Sequence, residues 1–183
     1  APAVAGRSIR NVMENKKTGY IRNFFFGVED SLVSTVGFVS GIAAAGVQTS
    51  TLLLTGIVLI FVEAFSMAVG SFLSDTSARE FASRHEVSEV SSIRGGFIMF
   101  FSYFGSGIVV LAPYLWMDSG NAFIWSVVLS LGALFLLGLL SGRMSGLPPF
   151  RRGIRMVVTG GGAIVIGVLV GKFVLAKLGG NIL

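Results

Sequence analysis

The sequence predicts an all-α integral membrane protein with five transmembrane helices. Hydrophobic residues occupy 53% of the 183 positions and charged residues only 13%, and the mean hydropathy is +0.82. A soluble domain of this size could not bury so much apolar surface. The apolar residues also fall into five long segments, which polar or charged connections separate.

Each apolar segment supplies about the 20 residues that a helix needs to cross the hydrocarbon core of a membrane. The predicted spans are residues 24–47, 52–74, 96–117, 121–141 and 154–176. Short polar turns after the first and third spans predict antiparallel neighbours, and Pro148-Pro149 should separate the last two spans. Residues 24–183 therefore form one transmembrane domain. The chain has no cysteine, which excludes disulfides and thiolate metal sites.

Lysine and arginine residues predict the orientation of the helices. They are concentrated in residues 1–23 and in the connections 75–95 and 142–153, and the two short turns contain none. Because cytoplasmic segments are enriched in these residues, we expect the amino terminus in the cytoplasm and the carboxyl terminus outside. Residues 1–23 lack an apolar core, so we expect a cytoplasmic arm and not a signal peptide. These membrane-flanking basic residues account for the net charge of +5. No pattern typical of nucleic-acid binding accompanies them.

Two adjacent carboxylates interrupt the first span, in the stretch FFFGVEDSLVSTVGFVSG. A carboxylate at the centre of a membrane helix costs roughly 2.5 to 3.5 kcal/mol on insertion scales, so Glu29 and Asp30 need an explanation. The helical face of Asp30 continues through small or polar residues, which are Ser34, Gly37 and Gly41. Glu29 is rotated by about 100° from that face, so we expect it near the headgroups or paired with a cation such as Arg22.

The second span has a matching face, with Glu63 deep inside the apolar run. The other residues on this face are Gly56, Met67, Gly70 and Ser74. If the first two spans pack as an antiparallel hairpin, their glycine-lined faces meet, and the carboxylates and the Met67 thioether project into one shared space. Each group has a structural alternative, since a membrane acid can be a neutral packing residue and a methionine is often core filler. Ionisable groups inside membranes, however, usually mark ion pathways or proton relays.

The chemistry of these side chains predicts a divalent metal as cargo. Carboxylate oxygen binds many divalent cations, whereas thioether sulfur favours softer metals over magnesium and calcium. The single histidine, His85, lies in a connection, which argues against a tight zinc site. Fe(II) or Mn(II), bound with modest affinity because cargo must leave, fits such ligands. The predicted metal site consists of Asp30, Glu63, Met67 and Glu29. Carboxylates in a dry bundle bind protons readily, so exchange of protons against metal follows.

At these residues the sequence resembles the vacuolar iron transporter family, which includes bacterial and archaeal iron and manganese transporters. The segment GVEDSLVSTVGFVSGIAAAG is similar to the family's asparagine-aspartate-glycine-leucine-valine motif, and EAFSMAVGSFLSD is similar to its serine-methionine-alanine block followed by glycine. LAPYLW and the glycine-rich fifth span fit more loosely. The resemblance implies a dimer of five-helix subunits whose first spans line a pathway, and export of divalent iron in exchange for protons. It also implies that Asp30 is the pathway aspartate and that Met67 is the methionine of the second span.

The sequence also departs from the family's pattern. Glu29 stands where the family has asparagine, Ser31 where it has glycine, and Ser71 where a glutamate follows the methionine block. Many members insert a glutamate-rich metal-binding domain between the second and third spans, of which only residues 75–95 remain. The candidate ligands of a remnant metal-collecting site are His85, Glu86 and Glu89, together with Asp75 and Glu80. A solvated amphipathic turn, balanced by nearby arginines, is the interpretation that we favour.

Three functions are compatible with these features. The leading hypothesis is export of Fe(II) or Mn(II) from the cytosol in exchange for protons by a homodimer, in which Gly41 and Ala45 permit contact between the first spans. The alternatives are a passive channel or a carrier for another cation, and a non-transporting scaffold or assembly factor, which has no use for buried acids. No nucleophile–base pair, phosphate-binding loop or closed metal site indicates an enzyme, and no cofactor is expected. The short second connection favours a prokaryotic plasma membrane over a vacuole.

Overall fold

The computed structural model describes the backbone of residues 2–86 and 88–178 and the side chains of residues 17–86 and 88–177. Over these residues the chain forms five helices, α1 (Pro2–Ala44), α2 (Thr49–Ser83), α3 (Val90–Leu111), α4 (Ser119–Met144) and α5 (Pro149–Leu178), and a 3-10 turn (Ala112–Leu115) extends α3. Each helix contains a segment that is long and apolar enough to cross a membrane. The predicted all-α fold with five spans is confirmed, whereas the orientation of the termini and the dimer stay predictions.

Glycines in tight turns follow two of the helices. Gly46 (φ +70°) follows α1 and Gly146 (φ +65°) follows α4, and both have the left-handed backbone conformation that glycine adopts without steric cost. Pro149 is the first residue of α5. Proline suits that position because its fixed φ is helical and its missing N–H is not needed there. The proline pair therefore separates the last two spans, as predicted.

The helices extend beyond the apolar segments that the sequence marks. α2 runs to Ser83 and α3 begins at Val90, so most of the connection predicted at 75–95 is helical. α1 likewise continues through residue 23, the predicted end of the arm. Hydropathy locates only the part of a helix that lies in lipid. Polar contacts support the remainder, such as the ion pair at 4.0 Å between Arg79 and Asp75, one turn apart on α2.

The helices pack with polar groups inside and apolar groups outside, as a lipid environment requires. Large apolar side chains on the outer faces are exposed, such as Phe65 at 65% and Leu136 at 65%. Buried serines bind backbone carbonyl oxygens across and along helices. Ser126 Oγ donates to the carbonyl oxygen of Val110 at 2.8 Å, which ties α4 to α3. Such interior hydroxyl groups tie neighbouring helices together.

The glycine face of α1 packs against α5 of the same chain. A Cβ atom on Gly41 would lie 2.7 Å from the carbonyl oxygen of Gly167, and one on Gly37 would lie 3.0 Å from that of Ala163. In return, Gly167 packs on the carbonyl of Gly37, and Gly171 on that of Gly41. Both helices thus present glycines four residues apart, which permits the close backbone approach typical of membrane helix pairs.

This packing corrects two expectations. The glycine faces of the first two spans do not meet, because α1 packs mainly against α3 and α5 and Gly56 of α2 contacts Leu111 of α3. Gly41 is occupied by α5 in the same subunit, so it is not available for the subunit contact that its small size suggested. Small residues specify a close approach, but they do not specify the partner.

Candidate functional site

Asp30 and Glu63 lie at the same depth in the helix bundle. A tight turn joins α1 to α2, and each acid lies fourteen residues from the helix end that flanks this turn, Ala44 for Asp30 and Thr49 for Glu63. At 1.5 Å per residue this places both about 21 Å from the turn. The hydrocarbon core is about 30 Å thick. Both acids therefore lie well inside the spans, as the sequence predicted.

Two hydroxyl groups hold the carboxylate of Glu63. Ser34 Oγ donates to Glu63 Oε2 at 3.2 Å, and the Tyr103 hydroxyl donates to the same oxygen. The two hydroxyl oxygens are 2.7 Å apart, and Tyr103 is fully buried. Because the three residues come from α1, α2 and α3, this triad connects three helices around one carboxylate.

The acids retain unused capacity to bind a cation. Both hydroxyl groups contact Oε2 of Glu63, and among the described residues neither its Oε1 nor the Asp30 carboxylate accepts a hydrogen bond. Asp30 is half-buried, and its negative charge acts on Glu63. Two carboxylates that repel each other in a medium of low dielectric are stabilised by a nearby cation or by protons. Binding of a metal ion or of protons by the pair stays a prediction.

Met67 lies on α2 one helical turn from Glu63 and is half-buried. Asn23 Nδ2 donates to Ser71 Oγ at 2.8 Å. On α1, Asp30 lies between Asn23 and Ser34, the two residues that bind α2. On α2, Met67 lies between their partners, Glu63 and Ser71. Over the residues that the structure describes, no three His, Asp or Glu side chains are grouped to hold a metal. A site at this depth would therefore combine two carboxylates with other donors, and the sulfur of Met67 stays a predicted ligand.

Glu29 lies in a different environment from Asp30, as its rotation around the helix predicts. The positive charges that act on it belong to Arg155 and Arg152 of α5, and its half-buried side chain lines a cavity between α1 and α4. Arg22 lines the same cavity, yet within the described side chains it forms no ion pair with Glu29. Arg155 and Arg152 likewise form no ion pair with Glu29 among the described side chains, so the expected pairing with a cation is not found there. Metal binding by Glu29 stays a prediction.

The connection between α2 and α3 exposes three of the remaining candidate ligands, His85, Glu86 and Glu89. In the described part of the chain they form no metal-binding group with other acids. The acid nearest to them with a defined partner is Asp75, whose Oδ2 accepts a hydrogen bond at 2.7 Å from Ser92 Oγ of α3. That bond joins α2 to α3. Metal binding by the connection stays a prediction.

Sequence reasoning missed the residues that position the acids. Tyr103 stands in the apolar stretch FFSYFGSG, and a tyrosine hydroxyl inside a span needs a polar partner, which was a usable signal. Ser31 and Ser71 were noted only as departures from a motif. Ser31 Oγ donates to the carbonyl oxygen of Tyr103 at 2.6 Å, and Ser71 binds Asn23. Both departures therefore connect α1 to its neighbours.

Comparison with known proteins identifies the family of the chain. The sequence model of the VIT family matches residues 21–94 and 82–172, so the match includes the first four spans, most of the fifth, and the acids at positions 30 and 63. The two matched segments overlap in the short connection between α2 and α3. A search of curated proteins gives no significant match. The chain is a multi-pass integral membrane protein and belongs to the vacuolar iron transporter (VIT) family, a family of metal-ion transporters and not of enzymes.

Proposed function

We propose that the protein exports Fe(II) or Mn(II) from the cytosol in exchange for protons. The observation that carries the proposal is the placement of Asp30 and Glu63 at one depth inside the spans, with open carboxylate oxygens and an electrostatic interaction between them. A charged group inside a membrane is costly. A scaffold has no use for such a pair, whereas a cation pathway does.

The pair supplies a simple charge balance for exchange. Two carboxylates neutralise either one divalent cation or two protons, so replacing one by the other leaves the net charge of the site unchanged. Protons that bind from one side displace the metal, and metal that binds from the other side displaces the protons. The hydroxyl groups of Ser34 and Tyr103 keep Oε2 of Glu63 in place during this exchange. The remaining oxygens are then oriented toward the ion.

Selectivity among metals rests on the donor types in the layer. Carboxylate oxygen alone also suits magnesium and calcium, while a thioether favours softer metals. Met67, one helical turn from Glu63 and half-buried, supplies such a donor. The resulting mixed oxygen and sulfur site is weak enough to release its cargo.

The arginine-rich ends of the helices support an amino terminus in the cytoplasm. In this orientation the connection between α2 and α3 lies on the cytosolic side, and metal leaves toward the tight turn between α1 and α2. We place the protein in a prokaryotic inner membrane because that connection is short. As in the family that the sequence resembles, two subunits form the transporter.

Transport into proteoliposomes tests the proposal. Purified protein is reconstituted, and Fe(II) flux is measured with and without an imposed pH gradient. We expect flux that the gradient increases, and that Asp30→Asn abolishes. The matched control is Asp118→Asn, because Asp118 is exposed in a turn and its side chain makes no cap hydrogen bond. Flux that ignores the gradient would indicate a passive channel, and no flux of any divalent metal would favour a scaffold.

A further inference from the structure

A cavity of about 450 Å³ opens between α1 and α4 at the arginine-rich end of the bundle. One part of its wall is polar and the other part is apolar. The residues that define it are Arg22, Phe25, Phe26, Glu29, Ser141 and Ser145. Neither Asp30 nor Glu63 lines it. No step of the proposed metal exchange uses it.

Two arginines lie at this cavity, Arg22 in its wall and Arg152 bound to two of its serines, and a third, Arg155, acts on its single glutamate. Arg152 NH1 donates to Ser141 Oγ at 2.5 Å and to Ser145 Oγ at 3.3 Å, so its guanidinium lies behind the polar wall. The positive charge of Arg155 reaches Glu29 from the same helix as Arg152. The cavity therefore carries a net positive charge, and its serine hydroxyl groups are already oriented by a cation.

The position of the cavity matches the level of lipid headgroups. Arg22 precedes Asp30 by eight residues on α1, so it lies about 12 Å closer to the arginine-rich surface. Phe25 and Phe26, one turn further in, form the apolar wall on the membrane side. A ligand that fits has an anionic end at the surface and an apolar end that points into the bilayer.

We propose that this cavity binds the headgroup phosphate of an anionic phospholipid. Basic pockets between membrane helices on the cytoplasmic side bind such headgroups, and guanidinium groups bind phosphate oxygens in two-pronged geometry. Arg22 contacts the phosphate, Arg152 and the two serines line the polar wall, and the glycerol and upper acyl chain lie against the phenylalanines. Glu29 weakens the attraction, because its carboxylate competes with the phosphate for the arginines.

Native mass spectrometry of the full chain, released from detergent micelles, tests this site. The protein is offered equal amounts of phosphatidylglycerol and phosphatidylcholine with identical acyl chains, and the ratio of the two bound lipids is measured. Wild type should prefer phosphatidylglycerol. Arg22→Gln should lower this preference about fivefold, since an arginine near an anionic headgroup contributes about 1 kcal/mol and 1.4 kcal/mol corresponds to tenfold. Glu29→Gln should raise it.

Two further variants provide controls. Arg94→Gln removes an exposed arginine near the start of α3, at the same end of the bundle but outside the cavity, and should leave the preference unchanged. Arg22→Lys keeps the charge and should retain most of the preference for phosphatidylglycerol. Equal losses for Arg22→Gln and Arg94→Gln, or no preference in wild type, would overturn the proposal. If millimolar inorganic phosphate displaces phosphatidylglycerol and stabilises the protein as well as the lipid does, the ligand is free phosphate and the lipid assignment is wrong.

Discussion

Replacing Tyr103 with phenylalanine tests whether the triad at Glu63 holds the bundle together. The substitution removes one hydroxyl group and keeps the buried ring, which has 0% exposure. Glu63 Oε2 then retains one donor, Ser34 Oγ at 3.2 Å. The substitution also removes the contact at 2.7 Å between the Tyr103 hydroxyl and Ser34 Oγ, whereas the bond from Ser31 stays because it goes to the backbone carbonyl of Tyr103.

The size of the effect follows from the type of hydrogen bond that is lost. A bond between neutral groups contributes about 0.5 to 1.5 kcal/mol to stability, and a bond to a charged group about 1.5 to 3 kcal/mol. We therefore expect Tyr103→Phe to lower the free energy of unfolding by about 1 to 3 kcal/mol. Equilibrium unfolding in mixed micelles of a mild detergent and dodecyl sulfate measures this quantity.

The chain offers a matched control in Tyr114. This tyrosine is also buried, at 3% exposure, and its hydroxyl has no hydrogen-bond partner among the described residues. Removing an unsatisfied buried hydroxyl is close to neutral or stabilising, so Tyr114→Phe should change stability by no more than about 0.5 kcal/mol. Equal effects of the two substitutions would refute a stabilising role of the Tyr103 bond to Glu63, because loss of a hydroxyl group from a buried ring would then explain both.

Four further predictions concern transport and helix packing. Asp30→Asn should reduce metal flux in proteoliposomes to the protein-free background, and flux at the wild-type rate would remove Asp30 from the pathway. Glu63→Gln should slow every divalent ion and weaken the dependence of flux on pH, and an unchanged pH profile would contradict this. Met67→Leu should lower Fe(II) flux about 10- to 30-fold relative to Mn(II), or about 1 to 2 kcal/mol, and equal flux of both metals would assign Met67 to packing. Gly167→Ala should destabilise the protein by about 1 to 3 kcal/mol, because the added Cβ meets a carbonyl of α1, while Gly162→Ala, with no atom within 4 Å, should not.

The number of helices was predictable from sequence, but their ends and partners were not. Lipid requires about 20 apolar residues per span, and this requirement is visible without any structure. The polar extension of α2 to Ser83 was not visible, because outside the lipid hydropathy no longer distinguishes a helix from a loop. The pairing of Gly37 and Gly41 with α5 was also missed, since small residues indicate a close approach without naming the neighbouring helix.

The acids of the candidate site were predictable, but the groups that hold them were not. Asp30 and Glu63 stand out because charge in an apolar run is costly. The expected route to their meeting, through glycine faces of α1 and α2, was incorrect. Ser34 of α1 binds Glu63 of α2 directly, and α3 braces both helices through the Tyr103 hydroxyl and the backbone carbonyl that binds Ser31. A tyrosine among phenylalanines resembles ordinary packing until its partner is known.

Simultaneous recording of metal and proton movement is the most direct test of metal–proton exchange at Asp30 and Glu63. Proteoliposomes that contain a pH-sensitive dye and an iron-sensitive dye receive Fe(II) on the outside without an imposed pH gradient. If protons leave as Fe(II) enters, the lumen becomes more alkaline. We expect this result, and we expect Glu63→Gln to suppress both signals together. Fe(II) entry at the wild-type rate with no change in lumenal pH would contradict proton exchange at the acidic pair.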